Sequence, residues 1–230
     1  MRLVTWNCCR GPLAVKGPRV KALRPDLAVV QECGSPRTAR SRWRWFGDNP
    51  RQGIGVWAAS RYEVSPLPCA AGVPRFAIPL QVTGARSFLL FAVWAQKDPT
   101  YPYVRAVIRA VELYRDLIAS QPTVMLGDFN SNSFWDRTGE EARDHSYLVR
   151  LLAELGLVSS YHRFFGEAHG SERKPTFYFQ WDKKKPYHID YCFIPEAWSP
   201  RLSKVRVGGY ARWKAWSDHR PLVVDLADEP

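Results

Sequence analysis

The stretch that decides the fold is PTVMLGDFNSN, at residues 122–132. Residues 123–126 form a short apolar run rich in strand-forming types, which predicts a buried β-strand. Gly127 permits a sharp turn of the backbone, and Asp128 and Asn130 follow at the carboxyl end of the strand. Because side chains two residues apart in extended chain point the same way, Asp128 can take a metal ion or a water proton while Asn130 donates hydrogen bonds. The alternative is a turn in which both side chains cap their own backbone.

Other polar residues take the same position beside predicted strands. Those strands cover residues 2–6, 26–31, 187–194 and 221–226. The polar residues at or beside strand ends are Asn7, Glu32, Asp128, Asn130, Asp190, Asp218 and His219. Converging carboxylates make a hard, oxygen-rich site that suits Mg²⁺ or Mn²⁺ rather than zinc, and a histidine beside an aspartate can be held in one tautomer. The set therefore predicts hydrolysis of phosphoesters.

Composition narrows the class of protein. The 230 residues are 46% hydrophobic, which predicts one domain over residues 1–230 with a large core. A net charge of +11 favours polyanionic partners, nucleic acid first and acidic membranes second, unless it is only a solvated basic surface. Five cysteines without disulfide or zinc spacing predict reduced thiols and a cytoplasmic location. The sequence has no apolar run of about 18 residues, so we expect no membrane insertion, and we expect a monomer.

Two predicted hairpins carry basic residues. The first has strands near residues 42–47 and 53–59, where Arg42 and Arg44 alternate with tryptophans. The second joins strands over 176–181 and 187–194 through DKKKP, which contains Lys183 and Lys184. Arginine or lysine beside aromatic residues suits phosphate contact and base stacking. The alternatives are a hairpin with one face in the core and a lysine turn that is merely solvated. Helices are predicted over residues 18–23, 103–120 and 145–155, and with the strands they give α/β layers.

Five motifs in order, WN, QE, GDFN, HIDY and SDH, run from Trp6 to His219. This order resembles the endonuclease/exonuclease/phosphatase superfamily, the exonuclease III and deoxyribonuclease-like proteins. The resemblance implies a four-layer sandwich of two packed, mostly antiparallel β-sheets flanked by helices. It also implies that Glu32 is the main metal ligand and that Asn7 and Asp218 support the metal and its waters.

The same resemblance implies catalytic roles. Asp128 would position or deprotonate the attacking water, and Asn130 would hold the scissile phosphate. His219, oriented by Asp190, would contact a non-bridging phosphate oxygen.

Two positions depart from the family pattern. Cys9 stands where many relatives have a second polar residue beside the metal, and Trp94 stands where they have His or Tyr. Because an indole donates one hydrogen bond but cannot exchange a proton, Trp94 puts assistance to the leaving group in doubt. The sequence looks closer to a bacterial branch in which Lys16 binds phosphate, the alternative being a solvated loop lysine.

Further substrate contacts are proposed at the second hairpin. Thr176 and Phe177 resemble a pair that lines the substrate edge in repair nucleases, where Phe177 or Trp181 would stack on a base, unless both pack in the core. Three lone histidines, His145, His162 and His188, are interpreted as structural, with His188 the best extra site candidate because it shares a strand face with Asp190.

The sequence thus predicts a metal-dependent phosphodiesterase that cleaves nucleic acid, with DNA favoured over RNA. An enzyme acting on a small or lipid phosphate shares the motifs and is the alternative. A catalytically silent nucleic-acid binder is a third hypothesis, disfavoured by the intact motif set.

Overall fold

The structure is a computed structural model that describes residues 1–36, 42–69, 71–97, 99–137 and 144–227. Two six-stranded sheets pack face to face. The first sheet has, in spatial order, β13 (Leu202–Val207), β14 (Leu222–Leu226), β1 (Arg2–Asn7), β2 (Leu27–Cys33), β4 (Gln52–Ala58) and β3 (Trp43–Asn49). The second has β5 (Tyr62–Pro66), β6 (Ala77–Gly84), β7 (Phe88–Trp94), β8 (Thr123–Asp128), β12 (Asp190–Pro195) and β9 (Leu157–Ser159).

Each sheet contains one parallel pair among antiparallel neighbours, and these two pairs position the site. β1 is parallel to β2, and β7 is parallel to β8. Helix α1 (Leu13–Lys21) makes the first crossover, and α2 (Val104–Leu113) with α3 (Arg115–Ser120) makes the second. Because the carboxyl ends of parallel strands lie at the same sheet edge, each pair delivers two side chains to one place. These are Asn7 and Glu32 from the first sheet, and Trp94 and Asp128 from the second.

Strand alternation divides the apolar residues into three layers. Leu3, Leu27, Leu90 and Leu126 belong to the core between the sheets. Residues of opposite parity face the helices that cover the outer surfaces. The outer helices include α4 (His145–Glu154), α5 (Ser160–Phe165) and α6 (Tyr210–Trp213). The predicted sandwich of two sheets flanked by helices is therefore confirmed.

Three predicted elements differ from the structure. Helix α1 begins at Leu13, not at Pro18, because the buried face formed by Leu13, Gly17 and Val20 outweighs the one hydrogen bond that a proline inside the helix removes. The helix predicted over residues 103–120 is broken at Tyr114, whose backbone leaves the helical region while its ring packs against Phe91.

The hairpin predicted over residues 176–194 is also shorter than expected. It reduces to β10 (Phe177–Tyr178) and β11 (Pro186–Tyr187), with a 3-10 helix at Phe179–Trp181 between them. Its left-handed Gln180 and Trp181 interrupt the extended chain. In the described part of the chain, every helix is too short or too polar to cross a membrane.

Candidate active site

Asp128 lies at the centre of a hydrogen-bonded group between the two sheets. Its strand can approach β7 closely because Gly127 has no side chain, and a Cβ there would lie 1.9 Å from the Val93 carbonyl oxygen. The buried carboxylate accepts hydrogen bonds from Asn7 Nδ2 at 2.8 Å and from the Asn130 backbone N–H at 2.9 Å. Burial raises the pKa of Asp128 to about 7, and the charge of His219 opposes this rise. A carboxylate so tuned can accept a proton near neutral pH.

His219 faces Asp128 from the loop that precedes β14. Its Nδ1 lies 2.9 Å from Asp190 Oδ2, and its Nε2 lies 4.0 Å from Asp128 Oδ2. Burial alone would lower the pKa of His219, but the charges of Asp190 and Asp128 outweigh it and raise that pKa to about 9. The distance of 4.0 Å exceeds a hydrogen bond, so one water or phosphate oxygen can contact both groups.

Hydrogen bonds hold the loop of His219 against β1 and the hairpin. The Ser217 hydroxyl donates to the Asn7 carbonyl at 2.7 Å and accepts from the His219 backbone N–H at 2.9 Å. Trp6 Nε1 donates to the His219 carbonyl at 3.3 Å. On the opposite side, Thr176 Oγ1 accepts from the Asp190 backbone N–H at 3.0 Å. The imidazole therefore has a fixed position before any ligand binds.

Glu32 reaches the site through a backbone irregularity. By alternation along β2, Gln31 faces the inter-sheet core, where it bonds Thr5, and Glu32 would face away from it. Glu32 instead has a left-handed φ of 59°, and the pairing of β2 with β4 shifts register between Val30 and Cys33. This bulge turns its carboxylate towards Asn7, whose Nδ2 donates to it at 3.1 Å.

The donor atoms around Glu32 fit a hard divalent cation. Asp128, Asp190 and His219 have ligand atoms within 4.8 Å of one another, and His219 Nδ1 already lies 2.9 Å from Asp190 Oδ2. In addition to burial, the charges of the Asp218 and Glu32 carboxylates both raise the pKa of the Cys9 thiol, and these carboxylates present oxygen donors of the kind that Mg²⁺ and Mn²⁺ prefer.

The side chains of Asn7 and Asn130 donate hydrogen bonds to carboxylates in this structure. The Asn7 side-chain oxygen accepts from the Cys9 backbone N–H at 2.9 Å, so its amide bridges Glu32 and Asp128 through nitrogen. Asn130 Nδ2 donates to the Ala95 carbonyl at 2.7 Å and to Asp128 Oδ2 at 3.2 Å. A phosphate contact by Asn130 would have to replace one of these bonds.

The two departures from the family pattern both lie at the site. Burial raises the pKa of the Cys9 thiol to about 12, and the charge and hydrogen bond of Asp218 add to the rise, so this thiol stays protonated. Trp94 pairs with Asp128 in the strand register and packs against Phe76 with ring centroids 5.0 Å apart. An indole packed against a phenyl ring thus stands where the family resemblance predicts His or Tyr.

Lys16, Arg42 and Arg44 were predicted to contact substrate as cations. Lys16 donates to the carbonyls of Cys8, at 2.8 Å, and Trp216, so it ties backbone segments together. Arg42 and Arg44 lie at the start of β3, and it is the other end of this strand, at Asn49, that turns back towards Glu32.

The hairpin between β3 and β4 brings different residues to Glu32. The Gln52 side chain donates to the Glu32 carboxylate at 3.3 Å. Exposed Arg10 and Arg51 line a cavity of about 670 Å³ beside it. Trp43 packs against the ring of Trp57 within the core under α1. Of the two interpretations of these tryptophans, base stacking and core packing, the structure shows packing. The alternation of basic and aromatic residues along the sequence could not show which end of the β3–β4 hairpin lies beside Glu32.

The short β10–β11 hairpin borders His219. The ring of Phe177 lies 4.6 Å from that of His219, whereas Trp181 is 47% exposed and its carbonyl accepts from the Tyr210 hydroxyl. Lys183 and Lys184 occupy the exposed turn beyond them.

Two further aromatic residues lie at this edge of the site. Tyr187 stacks against Trp135, which is 44% exposed, and neither was predicted to belong to the site. The signal for Trp135 was the FW pair directly after the GDFNSNS segment.

The lone histidines are not isolated. His145, His162 and His188 gather with His169 and Glu172 against Tyr191, on the helix-covered face of the second sheet. Asp190 and Asp128 belong to the opposite face, so His188 does not join them. Its Nδ1 lies 2.9 Å from the Lys174 carbonyl oxygen.

Comparison with known proteins is consistent with this geometry. No curated protein sequence matches the chain. The 3′ phosphatase NExo from Neisseria, bound to a product DNA hairpin, is 23% identical with a TM-score of 0.72, and the alignment covers 99% of both chains. The endonuclease domain of TRAS1, a telomere-specific non-LTR retrotransposon, is 20% identical with a TM-score of 0.67, covering 98% of this chain and 97% of that one.

A third similar structure is an AP endonuclease from Archaeoglobus fulgidus, which is 16% identical with a TM-score of 0.66 and is covered over 100% of its length, against 99% of this chain. These identities show a shared fold. The sequence model of the Endonuclease/Exonuclease/phosphatase family matches residues 4–219. The chain therefore belongs to the endonuclease/exonuclease/phosphatase family of phosphoester hydrolases.

Proposed function

We propose that this enzyme is a divalent-metal-dependent phosphodiesterase that cleaves nucleic acid, with DNA as the favoured substrate. The observation that carries the proposal is the preformed row of Asp128, His219 and Asp190, with a gap of 4.0 Å between the first two. The proton acceptor, Asp128, and the protonated donor, His219, face each other across a gap that one oxygen atom can fill. This arrangement suits attack of water on a phosphodiester.

The roles follow from the charges in this row. Asp128 accepts the proton of the attacking water, since its raised pKa matches neutral pH. His219 carries a positive charge and donates from Nε2 to a non-bridging phosphate oxygen, where negative charge grows in the transition state. Asp190 keeps the ring in place through Nδ1. Asn7 and Asn130 fix the carboxylate of Asp128 by donating to it.

A divalent cation would be held by Glu32 with support from Asp218, and Mg²⁺ or Mn²⁺ suits these oxygen donors. When bound, it supplies Lewis-acid stabilisation of the phosphoryl oxygens. Asn7 keeps Glu32 close to Asp128 by bridging the two carboxylates. The cation at Glu32 and the proton acceptor Asp128 therefore act on the same phosphate.

The surface around this row supports a polymeric substrate. The exposed side chains of Lys183, Lys184 and Trp181 belong to the hairpin whose Phe177 packs on His219, and those of Arg10 and Arg51 line the cavity with Gln52, which bonds Glu32. Cations on both sides of a reacting phosphate fit a chain of phosphates, and exposed aromatic rings fit unpaired bases. The DNA hairpin bound to the neisserial 3′ phosphatase points to the same substrate class.

A substrate panel tests the proposal. Plasmid DNA, labelled single and double strands, RNA, abasic duplex and simple phosphate esters are incubated with Mg²⁺ or Mn²⁺, with EDTA as the control. We expect hydrolysis of DNA that EDTA and Glu32→Gln each abolish, while the variant keeps its far-ultraviolet circular dichroism. Turnover of phosphate esters with none of nucleic acid would transfer the proposal to a small or lipid phosphate. Activity of Glu32→Gln equal to wild type would remove Glu32 from the cation site.

A further inference from the structure

A second group of titratable side chains lies outside the active site. Four of the five histidines lie together with Glu172. His145 belongs to α4, His162 to α5 and His169 to the loop that follows α5, and His188 precedes β12. We call His145, His162, His169 and Glu172 the histidine cluster. It packs against Tyr191 on the helix-covered face of the second sheet. The mechanism uses none of these four side chains.

Three members of the histidine cluster present donor atoms to one point. His162, His169 and Glu172 each offer a ligand atom, and these atoms lie within 4.8 Å of one another. The closest pair is His162 Nε2 and Glu172 Oε1, at 3.0 Å. Tetrahedral zinc with bond lengths of about 2.0–2.1 Å needs donors about 3.3 Å apart, so small movements would close the group around an ion.

Each of the three donors is also held from behind. His162 Nδ1 lies 2.7 Å from Ser159 Oγ, and His169 Nδ1 lies 3.2 Å from His145 Nε2. The Glu172 carboxylate accepts from Asn132 Nδ2 at 3.1 Å and from the Gly170 backbone N–H at 3.1 Å. Such outer partners fix the tautomer and direction of metal ligands.

A cavity borders Glu172, one of the three donors. It has a volume of about 200 Å³, and its lining also includes Asn132, Gly170 and His188. His188 is 2% exposed, and its Nε2 has no hydrogen-bond partner among the described residues. An unpaired buried nitrogen at the wall of this cavity needs a ligand, and the cavity has room for a metal-bound water.

We propose that His162, His169 and Glu172 bind a divalent transition-metal ion, zinc by preference, at a structural site distinct from the active site. Two imidazoles and a carboxylate suit zinc better than magnesium, which prefers oxygen donors alone. Three protein ligands leave a fourth position for a water, and Glu172, one of the three, lines the cavity that also includes His188. The site at Glu32 prefers magnesium or manganese to zinc, because its donors are oxygens.

Binding requires one rearrangement. The rings of His162 and His169 are stacked, with centroids 3.5 Å and planes 16° apart, so one ring must tilt for both nitrogens to reach one ion. His169 is the ring that moves, because His145 provides its one described hydrogen bond.

The consequence is a link between two parts of the fold. His162 belongs to α5, whereas His169 and Glu172 belong to the loop that leads to Thr176. Thr176 in turn holds the backbone of Asp190 at the active site. An ion that binds the folded chain and not the unfolded chain therefore raises its stability and fastens this loop.

The test counts zinc in a variant that lacks the active-site ligand. Glu32→Gln protein is stripped with EDTA, incubated with excess Zn²⁺, passed through a desalting column and analysed by atomic emission. We expect about one ion per chain and a higher Tm than for the stripped protein. His169→Gln in the same background removes the most weakly tethered ligand, and it should retain no ion and show no Tm change with Zn²⁺.

Cobalt spectroscopy distinguishes cysteine ligands from imidazole and carboxylate ligands even if His169→Gln fails to fold. Co²⁺ in Glu32→Gln protein should give visible d–d absorption without thiolate charge-transfer bands. Charge-transfer bands would assign the ion to the free cysteines and overturn the proposal. A Glu32→Gln protein that retains no zinc would overturn it too, as would undiminished zinc binding in a folded His169→Gln variant.

Discussion

At the scale of single residues, the site depends on a few buried groups that hold one another. Asp128 shares hydrogen bonds with Asn7 and Asn130, while His219 takes its direction from Asp190. We expect substitution of any of these groups to change activity or stability, because removing one partner leaves another buried polar atom unpaired. The activity of single variants therefore tests the proposed roles directly.

Asp128→Asn should keep substrate affinity and lose turnover. The amide has the shape of the carboxylate but cannot take a proton from water, and general-base contributions are worth about a hundredfold or more. Single-turnover rates on a labelled oligonucleotide, together with fluorescence anisotropy for binding, measure the two effects separately. An unchanged rate constant would show that another group activates the water.

Asp190→Asn should shift the alkaline limb of the pH–rate profile. The pKa of His219 is raised to about 9, so its pairing with the carboxylates is complete below its ordinary pKa of 6.5 and is lost as the pH rises through about 9. Without the charge of Asp190, the ring loses its proton at a lower pH. The profile of kcat/KM against pH should therefore fall earlier than that of the wild type. Coincident alkaline limbs would separate His219 from catalysis.

At the scale of elements, the two parallel strand pairs create the site, and the second depends on a close backbone approach. Val93 of β7 lies opposite Gly127 of β8 in the register, one position before Trp94 and Asp128. Any side chain at Gly127 would push β8 away from β7. The carboxylate of Asp128 would move with the strand.

Gly127→Ala should therefore lower both stability and activity. The new Cβ would lie 1.9 Å from the backbone oxygen of Val93, which cannot give way as a side-chain end can. Overpacking of this kind costs about 1–3 kcal/mol, and each kcal/mol lowers the Tm by about 2–4 °C in a chain of this size.

Gly209→Ala is the matched control for Gly127→Ala, since nothing lies within 4 Å of a Cβ at Gly209. Calorimetry should show a Tm close to wild type for this control. Equal Tm values for the two variants would contradict the close approach of β7 and β8.

At the scale of the whole molecule, the net charge of +11 includes exposed cations both near the proposed active site and away from it. The position of each cation therefore matters more than the total. Lys183 and Lys184 occupy the turn of the hairpin that borders His219. Arg42 and Arg44 are also exposed, but they lie just before and near the start of β3, whose other end, at Asn49, turns back towards Glu32.

Neutralising both members of each pair should separate these regions. Lys183→Ala with Lys184→Ala should weaken binding to oligonucleotides and flatten the dependence of log Kd on log salt, by about 0.9 for each lost phosphate contact. Arg42→Ala with Arg44→Ala removes the same charge and should leave the slope unchanged. Hydrolysis of a chromogenic phosphodiester should be similar in both. Equal slopes for the two double variants would mean that the lysine turn is merely solvated surface.

The sequence by itself determined the strand that ends at Asp128, the family and the order of the site motifs. It could do so because alternation, turn residues and motif spacing are local properties of the chain. The two βαβ crossovers then brought Asn7 and Asp128 together, as their positions at strand ends had indicated.

Other features depend on how distant parts of the chain pack. The left-handed Glu32 reversed the direction that alternation assigns to its side chain, and the register of β3 pairs Arg44 with Val56, away from the Asn49–Gln52 end that meets Glu32. The histidine cluster joins residues from separate segments, which become neighbours only when α4, α5 and the following loop pack on the second sheet. Contacts of this kind depend on distant packing and register, which no local pattern encodes.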